Sequence, residues 1–136
     1  MTPVAGDLLK PFRIENVTPE AMKSWAIFLR DPNPIHLDPK VVMAMGLGDR
    51  VINQGPANLA YVISMLHGAF PGSRLELLDV RYVDNVFGGD AVESSGKVTA
   101  VEQVGGVTKV TCEIGLRAET RGPVISGTAT VVLPFV

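Results

Sequence analysis

From residue 74 onward the chain consists of four long stretches, 74–84, 91–104, 107–119 and 123–133, in which apolar and polar side chains alternate. A period of two is what a strand with one buried and one solvated face requires. The β-branched residues Val98, Thr99, Val107, Thr108, Val110, Thr128, Thr130 and Val131 suit that conformation. Gly88-Gly89-Asp90, Gly105-Gly106 and Arg121-Gly122 separate the stretches, so the last two pairs of strands read as hairpins. Few folds accommodate so much consecutive strand other than a long antiparallel sheet. The first half carries helical periodicity instead, and that order of elements points to an α+β fold.

Residues 8–17 are compatible with an opening strand. Thr18-Pro19-Glu20 then offers an N-cap hydroxyl, a first-turn proline and an early acidic side chain, and Met22, Trp25, Ala26 and Leu29 share one face of the helix that follows. This helix is expected to stop before Asp31-Pro32-Asn33-Pro34, because proline lacks an N–H and turns the preceding residue away from αR. Asp38-Pro39 can start a short helix reaching Met45, and Gly46-Leu47-Gly48-Asp49 marks a turn. Gly55-Pro56 opens the most apolar helix, expected over 56–67, with Leu59, Ala60, Val62, Ile63 and Leu66 covering most of its circumference. A helix that apolar is expected to be buried, with the sheet curling around it.

At 136 residues the chain is expected to form one domain over 1–136. Its net charge of −2 comes from scattered residues with no run of Lys or Arg, which argues against a nucleic-acid partner. Cys112 has no partner for an intramolecular disulfide and sits in an apolar/polar alternation, where it reads as a small core residue. No signal peptide and no membrane-spanning run is visible, so a cytoplasmic location is expected. Two distant histidines and one cysteine make a poor metal set, and no metal is expected. Neither Ser64 nor Cys112 lies in a nucleophile motif, and no Gly-x-Gly-x-x-Gly follows a strand. His67 reads as a helix C-terminal residue, Ser64 as packed, and Met43, Met45 and Met65 as core filling; Arg74, Arg81, Arg117 and Arg121 receive no role.

The stretch from Asp31 to Asp38 holds a carboxylate and an imidazole, Asp31 and His36, five residues apart on a loop stiffened by Pro32 and Pro34. Such a pair can share one water and divide the work of taking up and delivering a proton. Asn33 is expected to tie the loop down through hydrogen bonds. The same residues also make a good turn, with Asp31 as a cap and His36 as a polar loop residue, and composition alone leaves both readings open. Gly55 likewise has two readings: a backbone N–H aimed at a developing oxyanion from the mouth of a helix, or a glycine that only allows a tight turn or close packing.

Asp31-Pro32-Asn33-Pro34-Ile35-His36-Leu37-Asp38 resembles the hydratase motif of MaoC-like proteins, the (R)-specific enoyl-CoA hydratases and related dehydratases. Gly55 and its apolar helix resemble the glycine-led central helix of that family. The segment from Tyr82 to Asp90 resembles its pattern of aromatic, any, any, Pro, Val, aromatic, any, Gly, Asp. Together these pieces cover residues 25–104. The resemblance implies a hot-dog fold and a dimer with its substrate tunnel near the subunit interface. It implies Asp31 and His36 as a catalytic dyad, Asn33 as a supporting residue, and the Gly55 N–H as oxyanion donor. The implied reaction is reversible hydration of a trans-2-enoyl thioester of coenzyme A or acyl carrier protein to a 3-hydroxyacyl thioester, usually of the (R) hand, without metal or redox cofactor. A non-catalytic or half-site subunit of a heterodimeric dehydratase is the second reading, and a hot-dog thioesterase the third. Three places depart from the family pattern. Leu29-Arg30 stands where Ser-Gly is common, Asn53-Gln54 where a histidine often precedes the glycine, and Asn85 where proline is usual. The departures touch the walls of the site and leave the dyad intact.

Overall fold

The computed structural model describes residues 2–135. Strands β1 (Arg13–Ile14), β2 (Arg74–Tyr82), β3 (Val92–Val104), β4 (Val107–Ala118) and β5 (Gly122–Val132) form one sheet in the order β1-β3-β4-β5-β2, every pairing antiparallel. The β3–β4 hairpin runs from the pair Val92 and Ala118 to the pair Val104 and Val107. Gly105 and Gly106, at φ of 57° and 81°, close it in a conformation that side-chain-bearing residues rarely adopt.

The alternation in β4 explains where the core lies. Val110, Cys112, Ile114, Leu116 and Ala118 are all buried and join one cluster with Val62, Met65 and Leu66 of helix α3 (Gly55–Ala69). Fully burying one such aliphatic side chain contributes about 1.5–3 kcal/mol. Burial also raises the Cys112 thiol from 9.0 to about 11. Cys112 should therefore resist iodoacetamide in the native protein at neutral pH and react once guanidinium unfolds it; native-state alkylation at the rate of a free thiol would contradict this packing. Because the folded value is the raised one, the contribution of this thiol to stability is complete below about pH 9 and lost between there and about pH 11.

Helix α1 (Pro19–Leu29) begins as its residues require, with the Thr18 hydroxyl accepting from the Ala21 N–H at 3.1 Å. A 3₁₀ turn (Pro34–His36) and helix α2 (Pro39–Ala44) follow, the latter capped by Asp38, whose carboxylate accepts from the Lys40 N–H at 2.9 Å. Among the described residues no helix is long and apolar enough to cross a membrane.

Several sequence expectations need correction, among them Met43 and Met45, read as core filling but exposed on and just after α2. Residues 8–17 do not form a continuous strand: only Arg13–Ile14 pairs as a strand, with Leu8 bridging Lys97, because Pro11 has no N–H to continue the ladder. Helix α3 is longer than expected, since Gly68 and Ala69 continue it until Phe70 donates back to the Leu66 carbonyl ahead of Pro71. Its burial is also one-sided. Ala57, Val62, Met65 and Leu66 are buried, but Leu59, Ala60 and Ile63 are half-exposed, and Ser64, expected to be packed, is exposed. One sheet covers one flank of a helix, and the rest of α3 faces outward.

Candidate active site

The end of α1 positions Asp31. Arg30 adopts φ 52° and ψ 43°, its N–H donates to the Ile27 carbonyl at 3.2 Å, and the Asp31 N–H donates to the Ala26 carbonyl at 3.0 Å. This is a Schellman ending, whose left-handed position normally falls to glycine. Arg30 is the one non-glycine residue at positive φ among the described residues, and it stands where the family pattern has glycine. A left-handed backbone costs an L-residue about 1–2 kcal/mol, against roughly 0.5–1 kcal/mol of extra unfolded-state entropy for glycine. Arg30→Gly should accordingly raise stability by about 0.5–1 kcal/mol in urea titration; an unchanged or lowered midpoint would mean that the arginine side chain makes compensating contacts.

Beyond Arg30 the chain is tied to itself. Asp31 Oδ1 accepts from the Asn33 N–H at 3.1 Å, Asn33 Oδ1 accepts from the Ile35 N–H at 3.2 Å, and the Asn33 carbonyl accepts from the His36 N–H at 3.2 Å. With Pro32 and Pro34 limiting φ, this bend folds Asp31 and His36 onto each other. Asp31 Oδ2 lies 3.3 Å from His36 Nε2. His36 is only 8% exposed, while the Asp31 side chain keeps 35% of its surface open, so the pair meets solvent through the carboxylate. The imidazole is thus an inward-facing group.

The other ring nitrogen fixes the tautomer. His36 Nδ1 is 2.6 Å from the Ile52 carbonyl oxygen. A carbonyl can only accept, so Nδ1 carries the hydrogen and the neutral ring presents a lone pair at Nε2. Two acceptors then stand side by side, 3.3 Å apart, and a water adjacent to both can donate one hydrogen to each. Ile52 is held from both sides: its N–H donates to the Ile35 carbonyl at 2.9 Å, while its neighbours Val51 and Asn53 pair with Gly88 and Val86 at 2.8 and 2.7 Å. Sequence reasoning missed Ile52, since a backbone carbonyl leaves no signature in side-chain pattern.

Helix α3 opens three residues after Ile52. Its N-cap, Gln54, gives no side-chain cap, because its Nε2 instead donates to the Met22 carbonyl at 2.8 Å. Among the described residues the Gly55 N–H has no hydrogen-bond partner within the chain. Gly55 is not at positive φ, and a Cβ there would meet the Tyr82 ring at 3.6 Å, an ordinary contact. Neither turn geometry nor lack of space within this chain accounts for the glycine. The Tyr82 hydroxyl donates to the Gly55 carbonyl at 3.2 Å, and desolvation raises its pKa. Beside this turn lies a buried polar cluster that the sequence reading passed over: Asn53 Nδ2 donates to Asn58 Oδ1 at 2.8 Å and to the Tyr61 hydroxyl at 3.2 Å. Burial raises Tyr61, partly offset by that bond from Asn53. Two adjacent amides ahead of an apolar helix were the available signal.

A family model described as MaoC like domain matches residues 7–120. The chain belongs to the MaoC-like domain family. Three solved structures set its fold among those of other MaoC-like and related proteins. The (R)-hydratase from A. caviae involved in PHA biosynthesis superposes with a TM-score of 0.88 at 21% identity, covering 98% of both chains. The ChsH1-ChsH2 complex from Mycobacterium tuberculosis gives 0.85 at 21% identity, covering 98% of this chain and 100% of the other. The C terminal truncated HadBC (3R-Hydroxyacyl-ACP Dehydratase) complex from the same organism gives 0.74 at 13% identity, with 96% and 98% covered. No curated protein sequence matches the chain. These likenesses identify the MaoC-like architecture as the hot-dog fold, the sheet wrapped on α3.

Proposed function

We propose that this MaoC-like chain catalyses the reversible hydration of a trans-2-enoyl thioester to a 3-hydroxyacyl thioester, with Asp31 and His36 as the acid/base dyad. The observation that carries this reading is the 3.3 Å approach of His36 Nε2 to Asp31 Oδ2 while Nδ1 is committed to the Ile52 carbonyl. A water held by both acceptors has a lone pair free to attack C3. As the C–O bond forms, the pair takes one proton from that water and returns one proton to C2, so the enzyme ends in its starting state. The π electrons pass through the thioester carbonyl, whose oxygen gains negative charge. The free Gly55 N–H at the α3 N-terminus is the donor suited to that charge. Dehydration runs the same steps backward. Asn33 supports the dyad by holding the bend.

Purified protein and a panel of trans-2-enoyl-CoA esters of different length and branching test this. The enoyl absorbance should fall, no free thiol should appear, and chiral analysis of the product should give mainly one hand. Free-thiol release with the double bond intact would point to a thioesterase instead.

The active form proposed is a dimer. β2 ends the sheet with an unpaired edge and leaves Leu77 and Tyr82 exposed, followed by Val83, at 54%, 48% and 49%. Such an edge is protected by pairing with another chain. Two similar structures are two-component complexes, which keeps a heterodimer with a related hot-dog subunit as the second reading. The mass of the chain purified alone separates the two.

A further inference from the structure

The strongest unassigned feature lies outside the dyad, around Asp90. This carboxylate is buried, its side chain 4% exposed, and it accepts from Arg50 Nη1 at 3.1 Å, from Arg121 Nη2 at 2.7 Å, and from the Phe87 N–H at 2.9 Å. Both guanidinium groups also lie over the Phe87 ring, 5.3 and 4.7 Å from its centroid. Arg50 Nη1 further donates to the Gly88 carbonyl at 2.9 Å, and Arg121 donates to the Asn85 carbonyl at 2.6 Å and the Asp84 carboxylate at 3.0 Å. Every one of these bonds ends on residues 84–90, so two arginines and one buried carboxylate clasp a single loop from its two sides.

That loop holds Ile52 on one side, opposite the Ile35 carbonyl that accepts from the Ile52 N–H. Val86 accepts from the Asn53 N–H at 2.7 Å and the Gly88 N–H donates to the Val51 carbonyl at 2.8 Å, with Phe87 bridged to Ile52. The chain of contacts therefore runs from Asp90 through residues 86–88 and 51–53 to the Ile52 carbonyl, and from there to His36 Nδ1 at 2.6 Å. We propose that Asp90, clasped by Arg50 and Arg121, is a positioning residue for His36: it fixes the carbonyl that sets the imidazole tautomer. A buried carboxylate with three donors is costly to disturb, and a displacement of about 1 Å at a reacting group can lower turnover a hundredfold. The kinetic half of this inference rests on the hydratase reading; the tautomer half does not.

Two histidines make the test accessible, since His67→Gln leaves His36 as the one imidazole in a long-range ¹⁵N–¹H spectrum. In that background His36 should show the Nδ1–H tautomer. Asp90→Asn, nearly isosteric, should convert this signal to a tautomer mixture and lower kcat roughly tenfold to a hundredfold, with KM within about twofold, at temperatures where the variant is folded. A purely structural Asp90 would lower the melting temperature and leave both readouts unchanged, and that result overturns the proposal. An altered tautomer with unaltered kcat, or the reverse, also overturns it. Should Asp90→Asn fail to fold, Arg121→Gln keeps the Arg50 pairing and should shift both readouts in the same direction. If the wild-type chain hydrates no enoyl thioester, the function reading fails and the tautomer measurement alone decides this inference.

Discussion

Asp31→Asn should lower kcat/KM on a trans-2-enoyl thioester by roughly a thousandfold and leave the fold intact, the middle of the range for removing a positioned acid/base group. The substitution keeps an oxygen able to accept from the Asn33 N–H, so the bend that Asp31 organises survives. What disappears is the second acceptor for water beside His36 Nε2, 3.3 Å away. Because the Asp31 side chain is about one-third exposed, its pairing with His36 contributes less than about 1 kcal/mol to stability. His36→Ala should be equally inactive but less stable, by about 1–3 kcal/mol, since it empties a buried position and leaves the Ile52 carbonyl unpaired. Steady-state kinetics with a thermal melt on each variant checks both halves. A well-folded Asp31→Asn protein with near-native turnover would return the loop to a purely structural role.

Gly127→Ala should destabilise the protein by at least about 3 kcal/mol or prevent folding. Gly127 lies on β5 opposite Val80 of β2, and a Cβ there would overlap the Asp79 carbonyl oxygen and press on the Val80 Cα at 2.9 Å. Backbone cannot swing aside as a side chain can, so β2 would have to part from β5. Gly96→Ala is the informative contrast. Its Cβ would approach Leu9 Cδ1 at 2.6 Å and Met65 Cε at 3.0 Å, the far ends of flexible side chains, and the cost should be about 1–2 kcal/mol. Urea unfolding of the two variants measures the difference, and equal losses would contradict the register of β2 on β5.

The sheet was legible because its signal is local and repeated: a period of two in β4 places Val110, Cys112, Ile114 and Leu116 on one face whatever their partners are. The stretch 8–17 failed that test, since Pro11 interrupts the ladder and single bonds such as Leu9 to Gly96 replace it. α3 read as buried all round because apolar composition does not say how many surfaces are available to cover it, and one chain's sheet covers one flank. Asp31, Asn33, His36 and Gly55 were nameable from residue type, loop stiffness and family resemblance. The parts that fix their geometry were not. The left-handed Arg30 is a backbone state, the Ile52 carbonyl has no side-chain signature, and the Asp90 clasp joins Arg50 to Arg121 across 71 positions of chain. Arg50 and Arg121, far apart in sequence, meet only where the fold brings both onto the 84–90 loop.

The most direct measurement is the fate of the water oxygen. Turnover of crotonyl-CoA in ¹⁸O-enriched water, followed by mass analysis of the intact thioester, should place the label in the hydroxyl at C3 for the wild-type chain and do so roughly a thousandfold more slowly with Asp31→Asn. Label recovered in a free carboxylate, or equal initial rates of C3 labelling by the two proteins, would contradict a water held jointly by Asp31 and His36.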